Sequence, residues 1–222
     1  MTFADRILDF YQKLSLDEKL PDGIQVMNPY LQKETLQVCK AFYQKFYNDN
    51  KTRRIILGIN PGRFGAGVTG IPFTDPIRLE TSCGIDHALE KKPELSSDFI
   101  YRLIENMGGP QIFYKYYYIG AVSPLGFVKN GKNYNYYDDR QLEHSLKPFI
   151  VRNLVRQMAL GIETQKCFCL GNGKNFAYLQ RLNQELKLFG EIIPLPHPRW
   201  VMQYRRKQLD HYLAEMARSL SL

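Results

Sequence analysis

The chain has 222 residues, 44% of them hydrophobic, which suits one globular domain with a real core and excludes a disordered chain. No apolar run approaches the roughly 20 residues of a membrane span, and Met1 to Leu14 mixes charged with apolar side chains, so we expect an intracellular, cytoplasmic protein without a signal peptide. The 30 Lys and Arg residues outnumber the 22 Asp and Glu residues, and the net charge of +8 favours a polyanionic partner such as nucleic acid.

The N-terminal part of the chain is predicted to be helical. Apolar side chains recur at the spacing of an amphipathic helix from Phe3 to Leu14 and from Leu31 to Tyr47. The segment between these two helices contains prolines and a glycine and is predicted to be a loop. We therefore expect residues 1–222 to form one domain, with residues 1–50 as a helical extension packed on the remainder.

The rest of the chain alternates strands with helices. Four strands are predicted, at Arg54 to Gly58, Tyr116 to Val122, Lys166 to Leu170 and Glu191 to Leu195. Helices are predicted at Ser97 to Met107 with Ser96 or Ser97 as N-cap, at Asp139 to Leu160, within Gly171 to Leu186 and at Met202 to Ser219. This alternation indicates an α/β fold of three layers, α/β/α, around a central, mostly parallel four-stranded sheet.

Three loops are expected to meet at one edge of that sheet. A long loop rich in Gly and Pro runs from Asn60 to Pro76 after the first strand, and loops containing Ser123 and His197 follow the second and fourth strands. Ligands of open parallel sheets bind beyond the carboxyl ends of the strands. We therefore expect the functional site where these three loops converge.

The four cysteines do not indicate a metal site or a cofactor. Cys39 and Cys83 are isolated, and Cys167 and Cys169 are two residues apart on an apolar strand, a spacing that is typical neither of zinc ligands nor of iron–sulfur ligands. Free cysteines are usually buried. We expect reduced core cysteines, no metal and no cofactor.

The segment from Gly58 to Phe73, GINPGRFGAGVTGIPF, is the most informative motif. Its glycines do not follow G-x-G-x-x-G, and no Gly-Lys-Ser or Gly-Lys-Thr follows, so a nucleotide-binding loop is not indicated. A plain glycine-rich turn is the alternative, but Asn60 and Phe73 flank two turns bounded by prolines. This segment resembles the single-strand-selective monofunctional branch of the uracil-DNA glycosylase superfamily, which carries G-M-N-P-G-x-F-G and then T-G-x-P-F.

Other segments extend the resemblance over about Ile55 to Arg206. Leu195 to Arg199, LPHPR, looks like the catalytic His-Pro loop of the family. Ser123 to Leu125 and Gly131 to Asn133 are similar to its C-P-L and G-R-N segments, and Phe168 to Phe176 resembles its strand-turn-helix before the His loop. The resemblance implies a DNA repair enzyme that hydrolyses the N-glycosidic bond of uracil and leaves an abasic site.

The resemblance also implies roles for individual residues. The target base is flipped out of the DNA into a pocket, where Phe73 stacks on it. His197 stabilises the negative charge that develops on uracil O2, as an oxyanion-hole donor does. Asn60 orients the attacking water, because an amide binds water but is not a base. No motif position carries a lysine for Schiff-base chemistry, so a monofunctional enzyme is expected.

Two sets of residues are expected around these groups. The base-binding set is Gly58, Ile59, Gly62, Phe73, Ala121 and Ser123. The DNA-binding set is Arg63, Arg199, Trp200, Met202, Arg205 and Arg206. The wedge that fills the space of the flipped base is expected to be Arg199, Trp200 or Met202. The expected partner is single- or double-stranded DNA containing uracil, bound by a monomer.

Departures from the family pattern indicate a distinct, bacterial-type subfamily. Ala121 stands where the family has an asparagine that reads the Watson–Crick edge of uracil, so Ser123 or an asparagine at 130, 133 or 135 is expected to substitute for it. Gly62 stands where some relatives have a bulky Tyr that excludes 5-methyl groups, which suggests room for other deaminated or 5-substituted bases. The remaining alternative is a catalytically silent module that binds single-stranded or damaged DNA; the presence of both Asn60 and His197 argues against it.

Overall fold

The structure, a computed structural model, describes residues 1–221. Its helices and strands in chain order are α1 (Phe3–Gln12), β1 (Ile24–Met27), α2 (Lys33–Phe46), β2 (Arg53–Gly58), α3 (Ala66–Thr69), α4 (Pro76–Thr81), α5 (Leu95–Asn106), α6 (Pro110–Tyr116), β3 (Tyr117–Ala121), β4 (Gly126–Lys129), β5 (Lys132–Tyr134), α7 (Arg140–Met158), β6 (Ile162–Leu170), α8 (Lys174–Leu186), β7 (Glu191–Leu195), α9 (Pro198–Tyr204) and α10 (Leu209–Ser221). Short 3-10 helices lie at Pro29–Leu31 and Arg206–Gln208.

Four parallel strands form the central sheet, in the order β3-β2-β6-β7. Ile56 of β2 lies between Ile119 of β3 and Phe168 of β6, and all three side chains are buried. Strands buried on both faces read as continuous apolar runs, which is why the four runs in the sequence predicted them. Helices α6, α7 and α8 contact the strands, and the predicted three-layer α/β/α fold is confirmed.

The N-terminal helices contribute to the same core as the central sheet. The Phe3 ring lies 5.8 Å from the ring of Tyr118 on β3, centroid to centroid, and the hydroxyl oxygens of Tyr11 and Tyr118 are 3.3 Å apart. Helix α1 begins with a capping box, in which Thr2 and Asp5 each accept a hydrogen bond from the backbone N–H of the other. The helical spacing of apolar residues thus buries one face of α1 against the sheet.

A second sheet was not predicted from the sequence. Strands β1, β4 and β5 form an antiparallel sheet, so the prediction of a loop throughout the segment between α1 and α2 is wrong. Asn130 and Gly131 connect β4 to β5 with φ of 51° and 69°, the positive values that a two-residue hairpin turn requires. The Asn-Gly pair was the signal in the sequence for this hairpin.

Several predicted boundaries are also corrected. The loop predicted from Asn60 to Pro76 contains the short helix α3, and the helix predicted from Met202 to Ser219 is two helices, α9 and α10. Helix α5 has Glu94 at its N-cap position, so the serines lie in its first turn and the predicted serine cap is wrong. The hydroxyl of Ser97 instead accepts a hydrogen bond of 3.0 Å from the N–H of Asp75.

Residues 1–221 contain neither a membrane-spanning helix nor a cluster of metal-binding side chains. No helix in this range is both long and apolar enough to cross a membrane. Within the same range, no group of three or more His, Cys, Asp or Glu side chains is arranged to hold a metal ion. All four cysteines are buried and make no disulfide, and burial raises the pKa of each thiol.

Candidate active site

A cavity of about 410 Å³ opens at the carboxyl ends of β2, β3 and β7, where the sequence predicted the site. Nine of the predicted residues line it: Gly58, Ile59, Asn60, Gly62, Phe73, Ala121, His197, Arg199 and Trp200. This volume lies within the range of roughly 300–1,000 Å³ that is usual for sites that enclose a small molecule or a single base.

Asn60 follows β2, and its side-chain amide is held by backbone groups at the end of β5 and just after it. Its Oδ1 accepts a hydrogen bond of 3.2 Å from the N–H of Tyr136, and its Nδ2 donates one of 3.3 Å to the carbonyl of Tyr134. These bonds fix which end of the amide faces which backbone group. One lone pair of Oδ1 is left to accept a hydrogen bond from a water in the cavity.

Phe73 lies in the loop between α3 and α4 with φ of 54°, in the left-handed region that side chains other than glycine rarely adopt. The loop is held by the buried hydroxyl of Thr69, which donates to the carbonyl of Thr74 at 2.7 Å and accepts from the N–H of Ile71 at 3.1 Å. Such a backbone costs about 1–3 kcal/mol and is found where a functional site requires it. The strained backbone directs the Phe73 ring into the cavity wall.

Gly58 makes room for that ring. A Cβ atom at this position would lie 2.6 Å from Cε2 of Phe73 and 2.9 Å from its Cζ, so a larger residue would displace the ring. Gly58 ends β2, and the N–H of Val122 donates to its carbonyl at 3.0 Å, which holds the ends of β2 and β3 together. Glycine is required here by the close approach of the ring rather than by a positive φ.

His197 follows β7 and is the N-cap residue of α9, with Pro198 in the first turn. Its Nδ1 accepts a hydrogen bond of 3.2 Å from the N–H of Arg199. Burial, with a smaller contribution from the positive charge of Arg199, lowers the pKa of His197 to about 4. The imidazole is therefore neutral at pH 7, with its proton on Nε2, and it is a hydrogen-bond donor without a charge.

The aromatic rings of Phe73 and His197 lie close together in the cavity. Their centroids are 6.3 Å apart and their planes are inclined at 52°. Asn60 lines the same cavity. A flat ligand stacked on Phe73 would thus have a neutral donor at its edge and a water-binding amide nearby, which fits cleavage of a bond to a planar, electron-accepting group.

Five predicted residues do not line the cavity: Arg63, Arg205 and Arg206 lie on the surface, and Ser123 and Met202 are buried. Ser123 is 0% exposed, and its hydroxyl donates to the carbonyl of Leu125 at 2.9 Å, so the prediction that it contacts the base is wrong. Met202 lies on the buried face of α9 and is only 4% exposed, so it can be neither the wedge nor a DNA contact. Ala121 does line the cavity, while its carbonyl accepts a hydrogen bond of 3.0 Å from Nε2 of Gln157.

Several residues that line the cavity had no clear signal in the sequence. They are Glu94, Tyr137, Gln203 and Tyr204. Asn133 and Asn135, which the sequence left as alternatives to the missing asparagine at 121, also line it, whereas the exposed Asn130 does not. Burial and the nearby negative charge of Asp75 raise the pKa of Glu94 to about 7, against the attraction of Arg199.

The surface near the cavity carries cations stacked on exposed aromatic rings. The Arg63 guanidinium lies 4.6 Å from the centroid of the Phe64 ring, and that of Arg205 lies 5.2 Å from the Trp200 ring. Trp200 is 40% exposed, and Arg206 follows as an exposed residue of the last 3-10 helix. Exposed aromatic rings beside Arg side chains are suited to stacked bases and phosphates.

Comparisons with known proteins identify the family to which the chain is similar. The family model described as the uracil DNA glycosylase superfamily matches residues 44–221. The crystal structure of wild-type SMUG2 from Pedobacter heparinus is 46% identical in sequence, with a TM-score of 0.97, and the match covers 100% of this chain and 97% of that one. No curated protein matches the chain.

Proposed function

The chain belongs to the uracil DNA glycosylase superfamily, and we propose that it excises uracil with the neutral imidazole of His197 and a water held by Asn60. It is a DNA repair glycosylase that hydrolyses the N-glycosidic bond of a damaged nucleotide and leaves an abasic site. The observation that carries the proposed mechanism is the bond from the Arg199 N–H to Nδ1 of His197, which leaves Nε2–H as the donor into the cavity.

The leaving base is the first requirement of the reaction. When the bond between C1′ of the sugar and N1 of uracil breaks, its electron pair stays on the base and the negative charge spreads onto the ring oxygens. We assign the Nε2–H of His197 to O2, where it stabilises this charge as an oxyanion-hole donor does. A neutral imidazole suits this role because it donates a hydrogen bond without first having to lose or gain a proton.

The attacking water is the second requirement. As the bond to uracil breaks, the sugar develops oxocarbenium character, and a water then adds to C1′ and releases its proton to solvent. We assign the free lone pair of Asn60 Oδ1 to this water. Because the bonds to Tyr134 and Tyr136 fix the amide, the water has one preferred position and needs no strong base.

The base is held by stacking and by the loop backbone. We assign the Phe73 ring to one face of the flipped uracil, with Gly58, Ile59, Gly62 and Ala121 around it in the cavity wall. The room expected beside Gly62 is partly filled, because a Cβ there would lie 2.8 Å from Oε1 of Glu94. Acceptance of 5-substituted bases therefore depends on Glu94 as well as on the glycine.

We propose that the surrounding cations and aromatic rings bind the DNA strand and that the enzyme acts as a monomer. Arg63, Arg199, Arg205 and Arg206 are assigned to phosphates, and Trp200 is assigned as the wedge because it lines the cavity and is exposed. No lysine of residues 1–221 lines the cavity, in agreement with a monofunctional enzyme that forms no Schiff base.

The test is excision from single-stranded and double-stranded oligonucleotides that contain one uracil, with alkali to cleave the abasic product. We expect alkali-dependent cleavage at the uracil and none in the matched oligonucleotide with cytosine. Absence of cleavage together with binding to the uracil-containing DNA would instead indicate a silent binding module. Borohydride is expected to trap no covalent adduct of protein and DNA.

A further inference from the structure

Glu94 is a carboxyl group in the cavity without an assigned role. It precedes α5 at the N-cap position, and its backbone N–H donates a hydrogen bond of 2.9 Å to Oδ2 of Asp75. Its carboxyl lines the cavity, does not cap the helix, and makes no hydrogen bond or salt bridge with the other residues of the range 1–221. The backbone is therefore anchored while the carboxyl faces the cavity without a partner.

Two glycines of the Gly58 to Phe73 segment make the space that Glu94 occupies. A Cβ at Gly62 would lie 2.8 Å from Oε1 of Glu94, and a Cβ at Gly65 would overlap Oε2. Larger residues at either position would push the carboxyl away. The motif segment that supplies Asn60 and Phe73 thus also admits the Glu94 carboxyl to the cavity.

The charges around Glu94 favour its protonated form. The carboxylate of Asp75 accepts hydrogen bonds from the backbone N–H groups of Arg78 at 2.8 Å and of Glu94 itself at 2.9 Å, and its negative charge opposes a second one on Glu94. Arg199 attracts the ionised form, and His197 is neutral above about pH 4. Bound DNA would exclude water and bring phosphates, and both effects favour the uncharged acid.

We propose that Glu94 reads the flipped base: its carboxyl, in the protonated form, donates a hydrogen bond to O4 of uracil, across N3 from the O2 that His197 contacts. This rests on the proposed uracil excision. Ala121 has no side chain to reach that edge, and the hydroxyl of Ser123 is already bonded to Leu125. A buried carbonyl oxygen needs a donor, and the Glu94 carboxyl is a cavity-lining group without a partner.

The assignment also predicts that cytosine is rejected. Cytosine carries an amino group in place of O4, so the O–H of the acid would face a second donor. An ionised Glu94 has only acceptors and would lose the bond to O4. Discrimination should therefore depend on the protonated acid, which is lost as the pH rises through the pKa of about 7 in the free protein, or above it in the complex with DNA.

The test measures single-turnover excision of uracil and of 2-pyrimidinone, which has a hydrogen in place of O4 and no hydrogen on N3, by Glu94→Ala and Glu94→Gln. We expect Glu94→Ala to lower uracil excision roughly 10- to 100-fold, the effect of one lost buried donor, and to change 2-pyrimidinone excision by less than about 3-fold. Glu94→Gln should restore most of the loss, because its amide donates at every pH. The rate of uracil excision by the wild type should decline above neutral pH, as Glu94 ionises, whereas the rate of the Glu94→Gln variant should not.

The control is Glu34→Gln, which removes the same charge from an exposed position in the first turn of α2. The proposal would be overturned if Glu94→Ala lowered the excision rates of uracil and 2-pyrimidinone equally. It would also be overturned if the excision rate of Glu94→Gln declined above neutral pH as that of the wild type does. Thermal melting shows whether each variant folds. If the wild type excises no uracil at all, the proposed function fails; normal wild-type excision with an equal loss on both bases refutes only the role of Glu94.

Discussion

The backbone N–H of Arg199 donates a 3.2 Å hydrogen bond to Nδ1 of His197, and this bond determines which nitrogen of the imidazole carries the proton. The bond forms because His197 is the N-cap of α9, where the first N–H groups of the helix lack partners within the helix. The cap of a short helix therefore prepares a neutral donor, which is the form required by the role that we propose for His197.

His197→Ala should lower single-turnover excision of uracil by roughly 10²–10³-fold, the usual effect of removing an oxyanion-hole donor. Binding of uncleavable DNA should change much less, because the donor acts mainly on charge that develops during the reaction. His211→Ala is the matched control, since His211 is exposed on α10. Excision at the wild-type rate by the His197 variant would refute the assigned mechanism.

The protonation of His197 should change how the free energy of unfolding depends on pH. Its pKa in the folded protein is about 4, below the ordinary value of 6.5, so the unfolded chain binds more protons between these two values. Stability that depends on neutral His197 is therefore present above pH 6.5 and decreases as the pH falls towards 4. Urea unfolding at pH 7 and pH 5 should show a larger loss for the wild type than for His197→Gln, which cannot titrate. Equal losses would mean that His197 is not held neutral.

Asn60→Ala should lower the excision rate by roughly 10²-fold or more, because the water loses its position, while DNA affinity is largely kept. Asn60→Asp places an oxygen where Nδ2 now donates to the carbonyl of Tyr134. We expect this variant to be impaired at neutral pH and to recover as the pH falls, since a protonated carboxyl restores the donor. A pH-independent Asn60→Asp variant would contradict the clamp by Tyr134 and Tyr136.

Gly58→Ala should disturb Phe73 directly, because the added Cβ would lie 2.6 Å from Cε2 of the ring. We expect a loss of about 1–3 kcal/mol in the free energy of unfolding, as for other overpacked sites, together with weaker binding of DNA that carries an uncleavable uracil analogue. Both quantities are measured on the same protein, by urea unfolding and by a fluorescence titration. Normal affinity for the analogue would show that Phe73 does not stack on the base.

Affinity for uncleavable DNA should fall steeply with added salt, because bound cations release counterions from the phosphates. Replacing both Arg205 and Arg206 by Ala should reduce the salt slope by about one for each phosphate that is no longer neutralised. Arg218→Ala removes one positive charge from the exposed part of α10 and serves as the control for net charge. An unchanged slope in the double variant would place the DNA elsewhere on the surface.

The parts of the fold that the sequence predicted are those set by local pattern. The buried strands of the central sheet and the helices between them follow from runs and periods of apolar residues, which act over a few positions. Strand β1 was missed because it has four residues and gains its partners only from β4, about 100 residues later in the chain. The sheet that β1 joins includes β5, and the amide of Asn60 is held by the last residue of β5 and by the chain just after it.

The sequence by itself determined which groups we assign to the chemistry, because Asn60, Phe73 and His197 lie in short motifs whose spacing limits what they can do. Only the tertiary structure decided which neighbours reach the cavity. It placed Ser123 and Met202 away from the cavity, brought Glu94 into the cavity lining, and set the tautomer of His197. Burial, partners and charge at a side chain depend on segments far apart in sequence, and no local pattern records which of them pack together.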